Sequence, residues 1–157
     1  MQHEIQYLFD TDTCIYLMNG HRQIKERVAQ IGIERIGVTI VTKGELFFGA
    51  YNSSRAEANL QRIRKFFEEP CPAVFGIDEQ TVEYFGRFKA ELRRTGRPVG
   101  DIDLLIAGVA VSHGFIIVTN NTKHFERISD VKLENWWKPP STSRQETDFG
   151  IAEEEKK

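Results

Sequence analysis

A chain of 157 residues with 40% hydrophobic and 28% charged side chains has the length and balance of one globular domain, large enough to need no disulfide or structural metal. Its 21 basic and 23 acidic side chains, a net charge of −2, exclude a generally basic nucleic-acid coat but leave room for a local positive stripe. No apolar run reaches the roughly 20 residues of a membrane span and no signal peptide precedes Tyr7, so a cytoplasmic protein is expected, with Cys14 and Cys71 as reduced thiols.

The first strand signal is Ile5 to Phe9, which stops abruptly at Asp10-Thr11-Asp12-Thr13. Helical patterns follow from Thr13 to Met18, stopped by Asn19-Gly20, and from Arg22 to Ile31. Ile36 to Ile40 reads as a buried strand, followed by a helix carrying Glu45, Leu46, Phe47 and Phe48. Ser54 to Glu68 is an amphipathic helix, ended by Pro70 and Pro72. Ala73 to Ile77 is a third strand, and Asp78 caps a helix to about Arg94 whose apolar face is Val82, Phe85, Phe88 and Leu92. After the loop from Thr95 to Gly100, an apolar and buried helix runs from Ile102 to Ser112, with Asp101 as its cap. Phe115 to Thr119 is the clearest strand, and a last one lies near Val131 to Leu133. This alternation predicts an α/β fold, a central, mostly parallel sheet of four to five strands flanked by helices. The folded domain spans 1–138; from Pro139 the sequence turns polar, and 139–157 reads as a flexible tail.

Ligand sites in open parallel sheets form beyond the carboxyl ends of the strands. Asp10 and Asp12 follow the first strand, and Thr119, Asn120 and Asn121 follow the strand from Phe115. Asp10 is a helix cap, a site residue, or both. Asp103 sits inside an apolar helix and needs a partner, because an unpaired buried charge is expensive. Glu45, beside Leu46 and Phe47, poses the same question, with plain exposure as the alternative. If Asp10, Glu45 and Asp103 converge to roughly 4 Å, the three repulsions total on the order of 12 kcal/mol at an effective dielectric near 20. Such a cluster persists by protonating or by holding a cation, and oxygen ligands without a Cys/His set favour Mg²⁺ or Mn²⁺.

At these residues the chain resembles the PIN-domain family, specifically its VapC toxins. The carrying segments are Tyr7 to Thr13, Val38 to Leu46 with Gly49, Val99 to Ala107, Ile117 to Phe125, and Leu133 to Trp136, in order. The resemblance implies a PIN-like three-layer sandwich and a Mg²⁺- or Mn²⁺-dependent endoribonuclease that hydrolyses phosphodiester bonds of structured RNA, such as tRNA or rRNA loops. Asp10, Glu45 and Asp103 would be its catalytic acids and metal ligands, with Asp101 and Asn121 as further ligand candidates. Asn121 stands where many relatives have a fourth Asp. Asp12 and Thr119 would orient the ligands. Arg93, Arg94 and Arg97, upstream of Asp103, would grip RNA, while His113 and His124 read as structural or surface residues. The resemblance further implies a VapB-like antitoxin inserting a basic side chain toward the acids, a homodimer, and higher toxin–antitoxin assemblies.

Two alternatives stay open: a non-catalytic PIN scaffold that binds RNA or protein, and a haloacid-dehalogenase-type phosphatase, whose Asp-x-Asp-x-Thr motif Asp10 and Asp12 begin to imitate, with Thr13 one position early for its Thr.

Overall fold

The computed structural model describes residues 4–137, and the tail at 139–157 lies outside them. Five short strands form one sheet: β1 (Tyr7–Phe9), β2 (Ile36–Thr39), β3 (Ala73–Phe75), β4 (Ile116–Val118) and β5 (Lys132–Glu134), in the order β3-β2-β1-β4-β5. All neighbours are parallel, with Tyr7 opposite Ile36 on one side and Ile116 on the other. The sheet is thus wholly parallel, where the sequence pattern predicts a mostly parallel one.

Helices α1 (Thr11–Met18), α2 (Arg22–Ile31), α3 (Ile40–Tyr51) and α4 (Ala56–Phe66) pack over one core, and α5 (Glu79–Thr95), α6 (Asp101–His113) and α7 (Thr122–Phe125) over the other. Successive strand residues point to opposite faces, so Phe9 joins the first core and Leu8 the second. With both faces covered, the central strands read as continuous apolar runs rather than alternating ones. Trp136 and Trp137 are both buried in the first core.

Strands β1 to β4 are shorter than expected, although pairing continues past the start of β1, where Gln6 N–H donates to the Arg35 carbonyl. Helix α1 starts at Thr11, two residues early, because the Asp10 carboxylate caps it by accepting from Thr13 N–H at 2.9 Å. Asp78 caps α5 as expected, but Val82 is exposed and Thr81 is buried in its place. The reason is the close approach of α6: a Cβ at Gly108 would stand 2.8 Å from the Thr81 carbonyl. Helix α6 also begins earlier than expected, at Asp101, and its cap is Gly100 without any side-chain cap bond. Asp101 does not cap it; its carboxylate lies 3.0 Å from Lys89 Nζ.

Candidate active site

Parallel pairing brings the carboxyl ends of β1 and β4 side by side, so the residues that follow them, Asp10 and Thr119, meet although 109 positions apart. Asp10 is buried, and the Thr119 hydroxyl donates to its Oδ2 at 2.6 Å. Thr13 holds the other oxygen: its N–H donates to Oδ1 at 2.9 Å and its hydroxyl lies 2.6 Å from the same atom. That hydroxyl is also 2.9 Å from the Val118 carbonyl. One hydroxyl has one proton and cannot donate to both. A neutral Asp10 resolves this by donating to Thr13, which then donates to Val118; an ionised Asp10 instead accepts the hydrogen bond that the Thr13 hydroxyl donates. Burial raises the Asp10 pKa to about 6, against the hydrogen bonds from Thr119 and Thr13, with the Asp12 charge adding to the rise. No ion pair among the described residues neutralises the ionised form.

The other acids reach the same rim. The Thr11 hydroxyl, one residue beyond Asp10, donates to Glu45 Oε1 at 3.2 Å. Asp103, in the first turn of α6, has its pKa raised by burial, lowered in part by His124, and raised further by the charges of Glu45 and Asp12. His124 Nδ1 stands 3.1 Å from Asp103 Oδ2 and 2.9 Å from the Asn121 side-chain amide. Asn121 N–H donates to the Thr119 hydroxyl, which returns the network to Asp10. An arc of contacts therefore runs from Asp10 through Thr119, Asn121 and His124 to Asp103, and Glu45 faces Asp103 electrostatically from α3.

The spacing is looser than the repulsion estimate assumes. Among the described residues, no three Asp, Glu, His or Cys side chains stand close enough to form a ready metal cage. The cost carried by Asp10 and Asp103 comes first from burial, not from one another. The donors on the rim are nonetheless of the right kind: carboxylates of Asp10, Glu45 and Asp103 and the Asn121 amide, without a thiolate, suit a hard cation. Cys14 belongs to the first core, where burial pushes its thiol well above the ordinary value.

The family model described as PIN domain matches residues 7–131. The chain belongs to the PIN-domain family, in its VapC ribonuclease branch. It is 37% identical over 133 residues to the tRNA(fMet)-specific endonuclease VapC of Salmonella typhimurium, a match covering 84% of this chain and 98% of that relative. It is 35% identical over 134 residues to Ribonuclease VapC1 of Haemophilus influenzae, with the same coverage of both. The fold matches the crystal structure of DNA-bound VapBC from Salmonella typhimurium with a TM-score of 0.78 and 37% identity, covering 84% of this chain and 98% of that one. Membership of the PIN family sets aside the dehalogenase-type phosphatase. No helix among the described residues is long and apolar enough to cross a membrane.

Within this VapC-type PIN domain, the residues singled out by sequence divide clearly. Asp10, Glu45, Asp103, Thr119 and Asn121 lie on the rim. Asp101 is engaged by Lys89, on the side facing α5. Asp12 is exposed and forms no hydrogen bond to the other acids among the described residues; it acts on Asp10 and Asp103 through its charge alone. The orienting contacts come instead from Thr11, Thr13 and Thr119. Thr13 was detectable as the residue three after a capping Asp, and Thr11 carried no signal beyond adjacency. His124 is not a peripheral residue: it touches Asp103, and its spacing of three from Asn121 on a short helix was the available clue. Arg93, Arg94 and Arg97 are exposed and form no ion pair among the described residues, whereas the neighbouring Arg87 pairs with Asp130 and Lys89 with Asp101.

Proposed function

We propose that this chain is a divalent-cation-dependent endoribonuclease that cuts structured RNA, and the toxin of a VapBC-type pair. The observation that carries the reading is the network around Asp10: a buried carboxylate held by Thr13 and Thr119, without a cationic partner among the described residues, on the rim that Glu45 and Asp103 also reach. Asp10 and Asp103 would hold Mg²⁺ or Mn²⁺ with Glu45. Such an ion, when bound, polarises the phosphate and lowers the pKa of water. Glu45 is positioned by Thr11 through Oε1, which leaves Oε2 free of hydrogen bonds among the described residues and able to accept a proton from attacking water. Thr13 and Thr119 fix the orientation of Asp10, and the exposed Arg93, Arg94 and Arg97 supply positive charge for RNA phosphates.

The partner reading rests on a groove of about 260 Å³ between α1, α3 and α4, lined by Ile15, Met18, Leu46, Ile63 and Glu45 among others. Phe48 and Tyr51 on α3 are exposed by 67% and 64%. An amphipathic antitoxin segment would bury these apolar side chains and direct a basic group toward Glu45. A homodimer and higher toxin–antitoxin assemblies accord with this reading. The Salmonella relative is named for cutting tRNA(fMet), which makes that tRNA the first substrate to try.

The test compares cleavage of tRNA(fMet) and ribosomal RNA by the wild type and Asp10→Asn, with Mg²⁺ and with chelator. Cleavage by the wild type in Mg²⁺ alone is expected. RNA binding without cleavage under any condition would instead identify a non-catalytic scaffold.

A further inference from the structure

Among the described residues His124 is the one imidazole on the acidic rim, and its contacts compete. Nδ1 lies 2.9 Å from the Asn121 Nδ2 and 3.1 Å from Asp103 Oδ2. A single ring nitrogen either accepts a hydrogen bond from the amide or donates one to the carboxylate, not both. In either tautomer one of the two contacts is unsatisfied. Turning the amide to present its oxygen relieves this only in part, because one Nδ1–H must then serve two acceptors, the amide oxygen and the Asp103 carboxylate, in a three-centre bond.

A cation in place of that shared proton satisfies all three atoms, since it can accept a lone pair from each. The spacing suits this. At the roughly 2.1 Å metal–ligand distances of an octahedral site, adjacent ligand atoms are about 3 Å apart. The separations of Nδ1 from the carboxylate and amide, 3.1 and 2.9 Å, are edges of that size. The side chains of His124 and Asp103 are 27% and 29% exposed, so an ion can reach them and retain water.

We propose that His124 Nδ1, with Asp103 and the Asn121 amide turned to present its oxygen, coordinates the divalent cation of this site and biases it toward Mn²⁺ over Mg²⁺. The inference rests on the cation-dependent reading above and deepens it. Imidazole is a good ligand for first-row transition ions, whereas Mg²⁺ prefers oxygen and retains its waters. His124 thereby takes the place of a fourth carboxylate beside Asn121, adding a donor without adding negative charge.

The experiment uses the full chain at pH 7.5, stripped of metal. Titration calorimetry with MnCl₂ and with MgCl₂ should give Mn²⁺ roughly tenfold tighter binding. Pulsed electron paramagnetic resonance of the Mn²⁺-loaded wild type should show ¹⁴N coupling from a directly bound imidazole. In His124→Gln that coupling should vanish and the preference for Mn²⁺ should fall to about threefold or less, with Mg²⁺ binding retained. The ¹⁴N measurement is made on the wild type and does not depend on how the variant folds. Absence of nitrogen coupling, or an unchanged preference in His124→Gln, overturns the assignment of His124 while leaving the catalytic reading intact. Failure of the wild type to bind either ion overturns both.

Discussion

Asp10→Asn should stabilise the metal-free protein at pH 7.5, although it removes a residue central to the site. The Asp10 pKa rises from 3.8 to about 6 on folding, chiefly because burial penalises the charged form. Each pKa unit is worth about 1.4 kcal/mol, so the ionised carboxylate lowers stability by roughly 3 kcal/mol at neutral pH. Below pH 4 the folded and unfolded states are both protonated and the penalty is absent. Between about pH 4 and 6 the folded state holds the extra proton, so stability falls as pH rises, and above 6 the loss is complete. Asn is nearly isosteric and stays neutral. Its oxygen can keep the bond from Thr13 N–H, but its NH₂ faces the Thr119 hydroxyl, which must change from donor to acceptor. That reversal costs on the order of 1 kcal/mol, leaving a net gain of about 2 kcal/mol. Urea unfolding in chelator across pH 4 to 8 measures it. The wild-type profile should descend between pH 4 and 6 relative to that of Asp10→Asn. Parallel profiles, or a variant less stable at pH 7.5, would refute the claim that burial without a cationic partner dominates at Asp10. Excess Mg²⁺ should then stabilise the wild type and leave the variant unchanged.

Gly108→Val should lower stability by about 1–3 kcal/mol, read in the same unfolding assay, because side-chain atoms would press on the Thr81 carbonyl 2.8 Å from the Cβ position and force α5 from α6. The triple change of Arg93, Arg94 and Arg97 to Ala should weaken RNA binding and flatten its salt dependence, with each lost phosphate contact reducing the logarithmic slope by about 0.7 on single strands; an unchanged slope would remove these residues from the interface. Asp101→Ala should leave cleavage within about twofold, since its carboxylate is engaged by Lys89 in an exposed pair worth little.

The alternation of apolar runs and helical periods made the layered fold legible, because a strand covered on both faces must be apolar along its length. Asp10 and Thr119 could be placed at strand ends by local pattern alone. Their hydrogen bond could not, since it depends on β1 and β4 being neighbours in the register Tyr7 to Ile116. The same limit hid His124. Its sequence neighbours describe a surface turn, and only the crossing of α6 brings Asp103 beside it. Val82 was misplaced for a related reason: helical spacing allows either Val82 or Thr81 on the inner face, and the close approach at Gly108 decides for the smaller side chain. Asp101 satisfied the rules for a cap, but Lys89 on the preceding helix offered its carboxylate a direct ion pair. Mutual distances among the acids were likewise beyond sequence, and each acid has its own neighbours on the rim, Thr13 and Thr119 for Asp10, Thr11 for Glu45 and His124 for Asp103.

Crystals of the protein grown in MnCl₂ would test the account most directly through their anomalous density. The predicted result is a peak within bonding distance of carboxylate oxygens from both Asp10 and Asp103. A Mn²⁺-saturated protein with no peak between those two residues would contradict it.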